Sequence, residues 1–464
     1  MPVPFWVQDA IFYQIFPDRF ANGDPRNDPR GLEPWGSPPT QHGFQGGDLR
    51  GVIHRLDYLM DLGVNALYLN PIFLSTSTHR YNTLDYYQID PRLGRMEDFH
   101  ALITAAHDNQ MRIILDGVFN HSGRGFFAFT DLLENQEHSL YRNWYHVKRF
   151  PVDAFSPGSA DSYLGWWGLK SLPKFNTNNP DVRKYLLGVA RYWIEQGIDG
   201  WRLDVPNEID DDSFWAEFRE IVKSANPEAY LVGEIWTPDP RWVGEAHFDG
   251  LMHYPLRETL LEFLNGSFMT TAQFADRVEG FLNLYPRQNV YAMYLPLGSH
   301  DTERLLTTLK DLRKVRLAFA FQFAYPGSPA IYYGDEIGME GGKDPDCRRA
   351  FPSDPAEWNN DLRRWVQLLA TLRRRLAPLR RGEYRRLFLD DKRRLYAFAR
   401  SLGREHVLVA LNGGPVRRNV QIPVGSLDWE DGRIVRNLLN REEFIVSGDK
   451  LILRLDPWEA AWIT

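Results

Sequence analysis

Two hydrophobic patterns alternate along this chain. Short apolar runs of four to seven residues, bounded by glycine or polar residues, fall at 10–16, 66–70, 112–118, 200–205, 230–235, 250–253, 293–297 and 330–333. Uninterrupted runs of that length predict strands buried on both faces, as in a parallel sheet. Between them lie segments in which apolar positions return every three or four residues, at 52–62, 96–109, 181–196, 214–225 and 304–323. That spacing predicts amphipathic helices. Asn179-Pro180 places proline in the first turn of one of them, and Gly63 and Gly197 stand where helices commonly end. Eight strand–helix units that close on themselves predict an α/β fold, a (β/α)8 TIM barrel.

Two stretches break the alternation. Residues 121–177 are aromatic and rich in Gly and Pro, with no clear helical period. A connection of that length is rarely structureless, so an inserted subdomain is expected after the third strand. The Arg-rich segment 357–380 predicts the last barrel helix. After it the pattern becomes short β-like runs at 394–399, 406–411, 420–424 and 450–455, which predict a C-terminal antiparallel β-sandwich. The expected organisation is a barrel over 1–120 and 178–381, an insert over 121–177 and a sandwich over 382–464.

Composition narrows the function classes. A net charge of −7 argues against a nucleic-acid binder held by phosphate contacts. Cys347 is the single cysteine, which excludes an intrachain disulfide and thiol–metal clusters. No run approaches the roughly 18 apolar residues of a membrane span, and the first residues lack the basic and apolar regions of a signal peptide. A cytoplasmic protein without nucleic-acid or membrane partners is the expectation. Aromatic residues make up 14% of the chain, enough to fill a barrel core and also to stack against sugar faces.

Three of the strand-like runs lead to a carboxylate: Asp204, Glu234 and Asp301. At the C-terminal rim of a barrel they would meet in one cleft. Two carboxylates flanking a bond suit glycoside cleavage, one as acid and one as nucleophile. Arg202 lies two residues before Asp204, so on a strand both side chains share a face, and the guanidinium is expected to lower the Asp204 pKa. Taken alone, that tetrapeptide is equally a structural ion pair. Glu234 stands between Gly233 and Ile235-Trp236, an apolar setting expected to raise its pKa as a general acid requires. His300 precedes Asp301, and Asp116, Asn120 and His121 end the third strand, where an Asx turn is the plainer reading.

Together these segments resemble the sequence blocks of the α-amylase family of glycoside hydrolases, in that family's order, over nearly the whole chain. Residues 63–71 and 327–336 resemble its second- and eighth-strand blocks. The resemblance implies a retaining mechanism with Asp204 as nucleophile, Glu234 as acid/base and Asp301 as transition-state stabiliser. It implies that Arg202 orients Asp204, that His121 and His300 bind sugar hydroxyls, and that Asp116 and Asn120 support the site. Residues 12–20, 172–176, 205–208 and 344–349 are similar to motifs of the neopullulanase, cyclomaltodextrinase and maltogenic amylase group. His79 and Tyr81 resemble the group's residues at the innermost sugar site, with Tyr81 as a stacking platform, and Trp236 is read with the substrate-binding residues. Pro206 stands where the group usually has a small Ala.

The segment Asn22 to Asp28 offers oxygen side chains from Asn22, Asp24, Asn27 and Asp28 in a Gly/Pro loop. Spacing alone reads as a polar turn. The resemblance implies a structural Ca2+ site completed by Gly46 and Asp48, with no metal in the chemistry. Members of the group carry an N-terminal domain that forms a dimer over the cleft. This chain begins at the barrel, so monomer and homodimer both stay open. The expected activity is hydrolysis of α-1,4 bonds in cyclodextrins, maltooligosaccharides or pullulan, with α-1,6 cleavage and transglycosylation alongside. An exo-acting α-glucosidase or a glucan-transferring enzyme is the alternative, and a non-catalytic glucan-binding protein the distant one.

Overall fold

In the computed structural model, which describes residues 2–266 and 268–464, strands β1 (Phe12–Ile15) and β2 (Ala66–Leu69) are followed by a short antiparallel hairpin, β3 (Phe73–Ser75) and β4 (Thr83–Ile89). The parallel series continues with β5 (Arg112–Gly117), β6 (Gly200–Leu203), β7 (Tyr230–Gly233), β8 (Gly250–Leu251), β9 (Tyr294–Pro296) and β10 (Ser328–Tyr332). Their hydrogen-bonded order is β8-β7-β6-β5-β2-β1-β10-β9. A parallel bridge from Met252 to Tyr294 links the two ends into a barrel. His253 N–H donates across the same seam to the Tyr294 carbonyl at 2.8 Å. The eight strands match the eight apolar runs of the sequence, shortened by a residue or more at most ends.

Alternation along these strands explains the site. Phe12, Ala66, Tyr68, Ile114, Tyr230, Val232, Tyr294 and Ala330 form one apolar cluster with Met252 and Tyr254. The intervening Tyr13, Leu67, Leu115, Trp201 and Leu231 belong to the larger cluster that packs the helices. Side chains two apart share a face. The interior row therefore turns polar as it rises: Gln14 after Phe12, Asn70 after Tyr68, Asp116 after Ile114, Glu234 after Val232. Gly200 carries no side chain below Arg202, and a Cβ there would lie 2.1 Å from the Tyr230 carbonyl oxygen. Arg202 and Asp204 complete the row above it.

The helices depart from the predicted spans in instructive ways. Segment 52–62 is two helices, Leu49–His54 and Leu56–Leu62, capped at the start by Asp48. Segment 304–323 breaks where Lys310 turns left-handed and Asp311 caps a new helix, Leu312–Ala324. Segment 357–380 likewise divides into Asn360–Arg375 and Ala377–Arg381. Helices Tyr254–Leu264 and Thr271–Leu284 were not anticipated, although the second opens on a Thr270–Gln273 capping box.

The insert after β5 contains one α-helix, Phe127–Asn135, where no helical period was expected, and three short 3-10 turns, Gln136–His138, Arg142–Trp144 and Trp166–Gly168. Otherwise it is loop tied by isolated bridges, among them His121 to Lys174 and Gly165 to Pro173. Beyond the last helix, β11 (Glu383–Asp390), β12 (Leu395–Leu402), β13 (Glu405–Asn412) and β18 (Ala460–Ile463) form one antiparallel sheet. Facing it are the pairs β14 (Arg418–Pro423) with β17 (Lys450–Leu455) and β15 (Ile434–Arg436) with β16 (Glu443–Ile445). Leu395, Ala397 and Leu408 meet Val420, Ile422, Leu451 and Leu453 in a core of their own, which makes this a sandwich. Among the described residues no helix is long and apolar enough to cross a membrane.

Candidate active site

Arg202, fully buried at the end of β6, is the hub of the rim. Its Nη1 lies 2.8 Å from Asp116 Oδ1 and 3.0 Å from Asp204 Oδ1, and its Nη2 lies 2.8 Å from Glu234 Oε2. These contacts come from three successive strands whose registers place Asp116 beside Arg202 and Arg202 beside Val232. Asp204, Glu234 and Asp116 are buried. Asp301 reaches the same cluster from beyond β9 and is more exposed. One guanidinium thus serves three carboxylates.

This sharing corrects the expected electrostatics of Asp204. Arg202 does pull its pKa down, but burial pushes it up further, and Glu234 and Asp116 add to the rise, so the carboxyl sits well above its usual value. Glu234 is raised to about 7, mainly by burial, against the opposing pull of Arg202. Its setting is not apolar, as its neighbours in sequence suggested. Glu234 Oε2 also accepts the Val205 N–H at 3.1 Å, and Oε1 accepts Trp236 Nε1–H at 3.3 Å. Val205 adopts φ 35°, ψ 51°, a left-handed conformation that a β-branched residue enters only under strain.

His79, His121 and His300 gather around Tyr81. Its hydroxyl donates to Asp116 Oδ2 at 2.8 Å and receives Asn70 Nδ2–H at 3.1 Å. His300 Nε2 lies 2.6 Å from the same hydroxyl. Gln14 Nε2 donates to His300 Nδ1, so the ring carries its proton on Nε2 and directs it at Tyr81 and at Asp301 Oδ2, 3.1 Å away. Burial holds His300 well below its ordinary pKa, hence neutral. The Tyr81 ring lies near-parallel to His300 (5.4 Å, 8°) and to His79 (5.9 Å, 22°), so three rings share one orientation here. His79 and His121 are also neutral, lowered by burial to about 4 and about 3. Asn120 donates to His121 Nδ1 at 3.1 Å, leaving Nε2–H directed at the Tyr81 carbonyl. Trp236, 40% exposed, stacks on Tyr254 at 3.7 Å and 8°.

Several participants carry no separate signal in the sequence. Tyr68 donates to Asp116 Oδ2 at 2.6 Å, and only its inward place on β2 could have pointed to it. Arg348 Nη2 lies 3.3 Å from Asp301 Oδ1 while its Nε donates to the His300 carbonyl at 2.9 Å. It stands within the eighth-loop motif, but no spacing ties it to Asp301. The arrangement offers a buried carboxylate pair around one guanidinium, a third carboxylate beside it, and neutral histidine donors. It can protonate a leaving oxygen, attack the carbon and hold neighbouring hydroxyls.

The oxygen-rich loop differs from its expected form. Asp48 is committed to the backbone, accepting N–H from Gly51 (2.7 Å), Gly23 (3.1 Å) and Asp24 (2.8 Å). Asp24 is chelated by Arg26 at 2.7 and 2.8 Å. Those two carboxylates are therefore engaged elsewhere, and among the described residues no group of three His, Cys, Asp or Glu side chains is placed to hold a metal. Of the remaining side-chain oxygens, one is open. Asn27 Oδ1 is buried without a hydrogen-bond partner. Asn22 pairs with Asp28 at 2.8 Å, and Gly46, at φ 87°, packs so close that a Cβ would lie 2.6 Å from Asp28 Oδ1.

Comparison with known proteins places this geometry. Residues 14–371 match the family described as alpha amylase, catalytic domain, and residues 385–462 match maltogenic amylase, C-terminal domain. A cyclomaltodextrinase of Geobacillus thermopakistaniensis is 43% identical over 98% of this chain and 76% of its own length. Neopullulanase 2 of Thermoactinomyces vulgaris is 45% identical over 98% of this chain and 77% of its own length. Among solved structures, cyclic alpha-maltosyl-(1→6)-maltose hydrolase from Arthrobacter globiformis superposes with a TM-score of 0.91 at 39% identity, covering all of both chains.

Proposed function

The chain belongs to the α-amylase family of glycoside hydrolases, and from that premise we propose that it is a retaining enzyme cleaving α-1,4-glucosidic bonds of cyclomaltodextrins, maltooligosaccharides or pullulan. The observation that carries the reading is Arg202 contacting both Asp204 and Glu234. Glu234 gives its proton to the glycosidic oxygen as Asp204 attacks the anomeric carbon, forming a glycosyl ester and freeing the aglycone. Glu234, now ionised, takes a proton from water, which cleaves the ester and restores the Asp204 carboxylate. Through both halves the pair holds one negative charge, on Asp204 first and on Glu234 second. A guanidinium at 3.0 Å from one and 2.8 Å from the other suits either state.

Around this pair, Asp301 and the Nε2–H of His300 would bind ring hydroxyls. Tyr81 with His79 would face the sugar at the reacting position, and Trp236 the sugar beyond the cleaved bond. The named relatives are a cyclomaltodextrinase, a neopullulanase and a hydrolase of cyclic α-maltosyl-(1→6)-maltose, which supports this substrate class. Side-by-side digestion of β-cyclodextrin, pullulan and starch, with chromatography of the products, tests it. Asp204→Asn and Glu234→Gln should each abolish turnover with unchanged circular dichroism. Near wild-type turnover by either purified variant would sink the assignment.

A structural Ca2+ bound by Asn22, Asn27, Asp28 and the Gly46 carbonyl is part of the proposal, supported by the unpartnered Asn27 oxygen. The ion would brace this loop against the helix that Asp48 caps, with no part in bond cleavage. Chelation should lower the melting temperature of the protein but not that of Asp28→Ala. Equal melting of the wild type with and without chelator would exclude the site.

A further inference from the structure

The rings of His121, Trp166 and Trp167 form a stepped stack that leads out of the cleft. His121, buried at the end of β5, lies parallel to Trp166 with centroids 5.5 Å apart and planes 21° from parallel. Trp166 in turn stacks on Trp167 at 4.6 Å and 12°. Trp167 ends the stack 80% exposed, flanked by Leu169 at 46%. We infer that the free indole face of Trp167 is an outer sugar-binding site of the cleft, taking a glucose unit of an α-glucan chain beyond those at the reacting centre.

The exposure of this indole is built in. Trp167 adopts φ 50°, ψ 25°, a left-handed conformation that residues other than Gly and Asn seldom occupy. The turn is fastened on both sides: Trp166 N–H donates to Leu172 O, Gly168 N–H to Gly165 O, and Ala160 N–H to Gly168 O, at 2.8 to 2.9 Å. A strained backbone held by its surroundings, presenting a large apolar ring to water, is the pattern of a ligand platform. The nearby cation Lys170 is tied to Asp153 at 2.8 Å. A neutral sugar whose C–H face lies flat on an aromatic ring fits the indole. Because the Trp166 ring separates Trp167 from His121, in steps of 5.5 and 4.6 Å, a sugar confined to the reacting centre would not reach it. A longer or cyclic glucan would.

The inference rests on the glucan-hydrolase reading, and the test separates the two. Wild type, Trp167→Ala and Trp167→Phe are assayed on maltotriose and on γ-cyclodextrin. Binding of maltoheptaose is measured by calorimetry in the Glu234→Gln background with and without Trp167→Ala. The expected result is an approximately tenfold weaker Kd, about 1.4 kcal/mol, and a matching rise in KM for γ-cyclodextrin. Maltotriose kinetics and the melting temperature should stay unchanged, and Trp167→Phe should restore most of the loss. Unchanged maltoheptaose binding, or equal losses on both substrates, overturns the inference. Sedimentation velocity is run in parallel, and a dimer that Trp167→Ala dissociates would give the surface to a second copy of the chain and overturn it too. Absence of hydrolysis by the wild type would sink the enzymatic reading alone, since the calorimetric comparison still reports on Trp167.

Discussion

Arg202 Nη2 lies 2.8 Å from Glu234 Oε2, so the guanidinium that the sequence assigns to the nucleophile is shared with the acid. It lowers both carboxyl groups against the rise that burial imposes on each. Replacing it with Lys would keep one charge but lose the fork that reaches several carboxylates at once. Arg202→Lys should reduce kcat/KM on the order of 100-fold or more, comparable to losing one preorganised charge-stabilising contact. Arg202→Gln should in addition move both limbs of the pH–kcat/KM profile to higher pH, because both carboxyls lose the group that held them down. Unmoved limbs in a folded variant would show that Arg202 does not govern the pair.

The raised pKa of Glu234, about 7, sets the alkaline side of activity. As pH rises through that value the acid loses its proton, so kcat/KM should fall above about pH 7. The fall belongs to the coupled pair and not to one residue. A profile flat to pH 9 would contradict the burial-driven shift.

Tyr81 binds Asp116 and receives from Asn70 and His300 through one hydroxyl. Tyr81→Phe keeps the ring stack and removes that oxygen, leaving buried polar groups short of a partner at a cost of about 1–3 kcal/mol. Thermal melting should register the loss, and kcat should drop as Asp116 and His300 lose their common anchor. Wild-type stability together with wild-type kcat would argue that water replaces the hydroxyl without loss.

Glu336 is a buried carboxyl that the proposed chemistry does not use. It accepts Tyr13 and Tyr58 hydroxyls at 2.8 and 2.5 Å, and burial raises it to about 7 from an ordinary 4.5. Below pH 4.5 both folded and unfolded forms are protonated there. Between 4.5 and 7 the unfolded chain ionises while the folded one holds its proton, so this group costs stability as pH rises, by about 3 kcal/mol once above 7. Glu336→Gln removes that titration. Its melting temperature should gain on the wild type steadily from pH 4.5 to 7 and then level off. A constant difference across that range would place the Glu336 pKa near normal.

The barrel was legible because its strands are buried on both faces and end sharply, so Gly200 to Asp204 and Tyr230 to Glu234 announce both strand and carboxylate. Alternation then fixed which side chains share a face, and Arg202 with Asp204 could be paired from spacing alone. What spacing could not supply was contact between strands. The claims of Asp116 and Glu234 on Arg202 depend on the registers of β5, β6 and β7. The sign of the Asp204 shift depends on how completely those contacts are buried. Arg348 reaches Asp301 only because the eighth loop folds back over the rim. Helix Tyr254–Leu264 is hidden in the sequence because its cap, His253, falls inside the strand-like run 250–253, two residues after a two-residue strand. In the oxygen-rich loop, composition suggested four ligands and the family resemblance two more, yet Arg26 and the backbone amides take up Asp24 and Asp48.

The central claim is double displacement at Asp204 with Glu234 as acid/base, and the configuration of the newly formed reducing end tests it most directly. Proton NMR followed from the first minute of γ-cyclodextrin or maltoheptaose hydrolysis resolves the two anomers before they interconvert. The α-anomer should appear first, with the β-anomer growing in at the rate of spontaneous mutarotation. Initial accumulation of the β-anomer would mean a single displacement by water and would contradict the account.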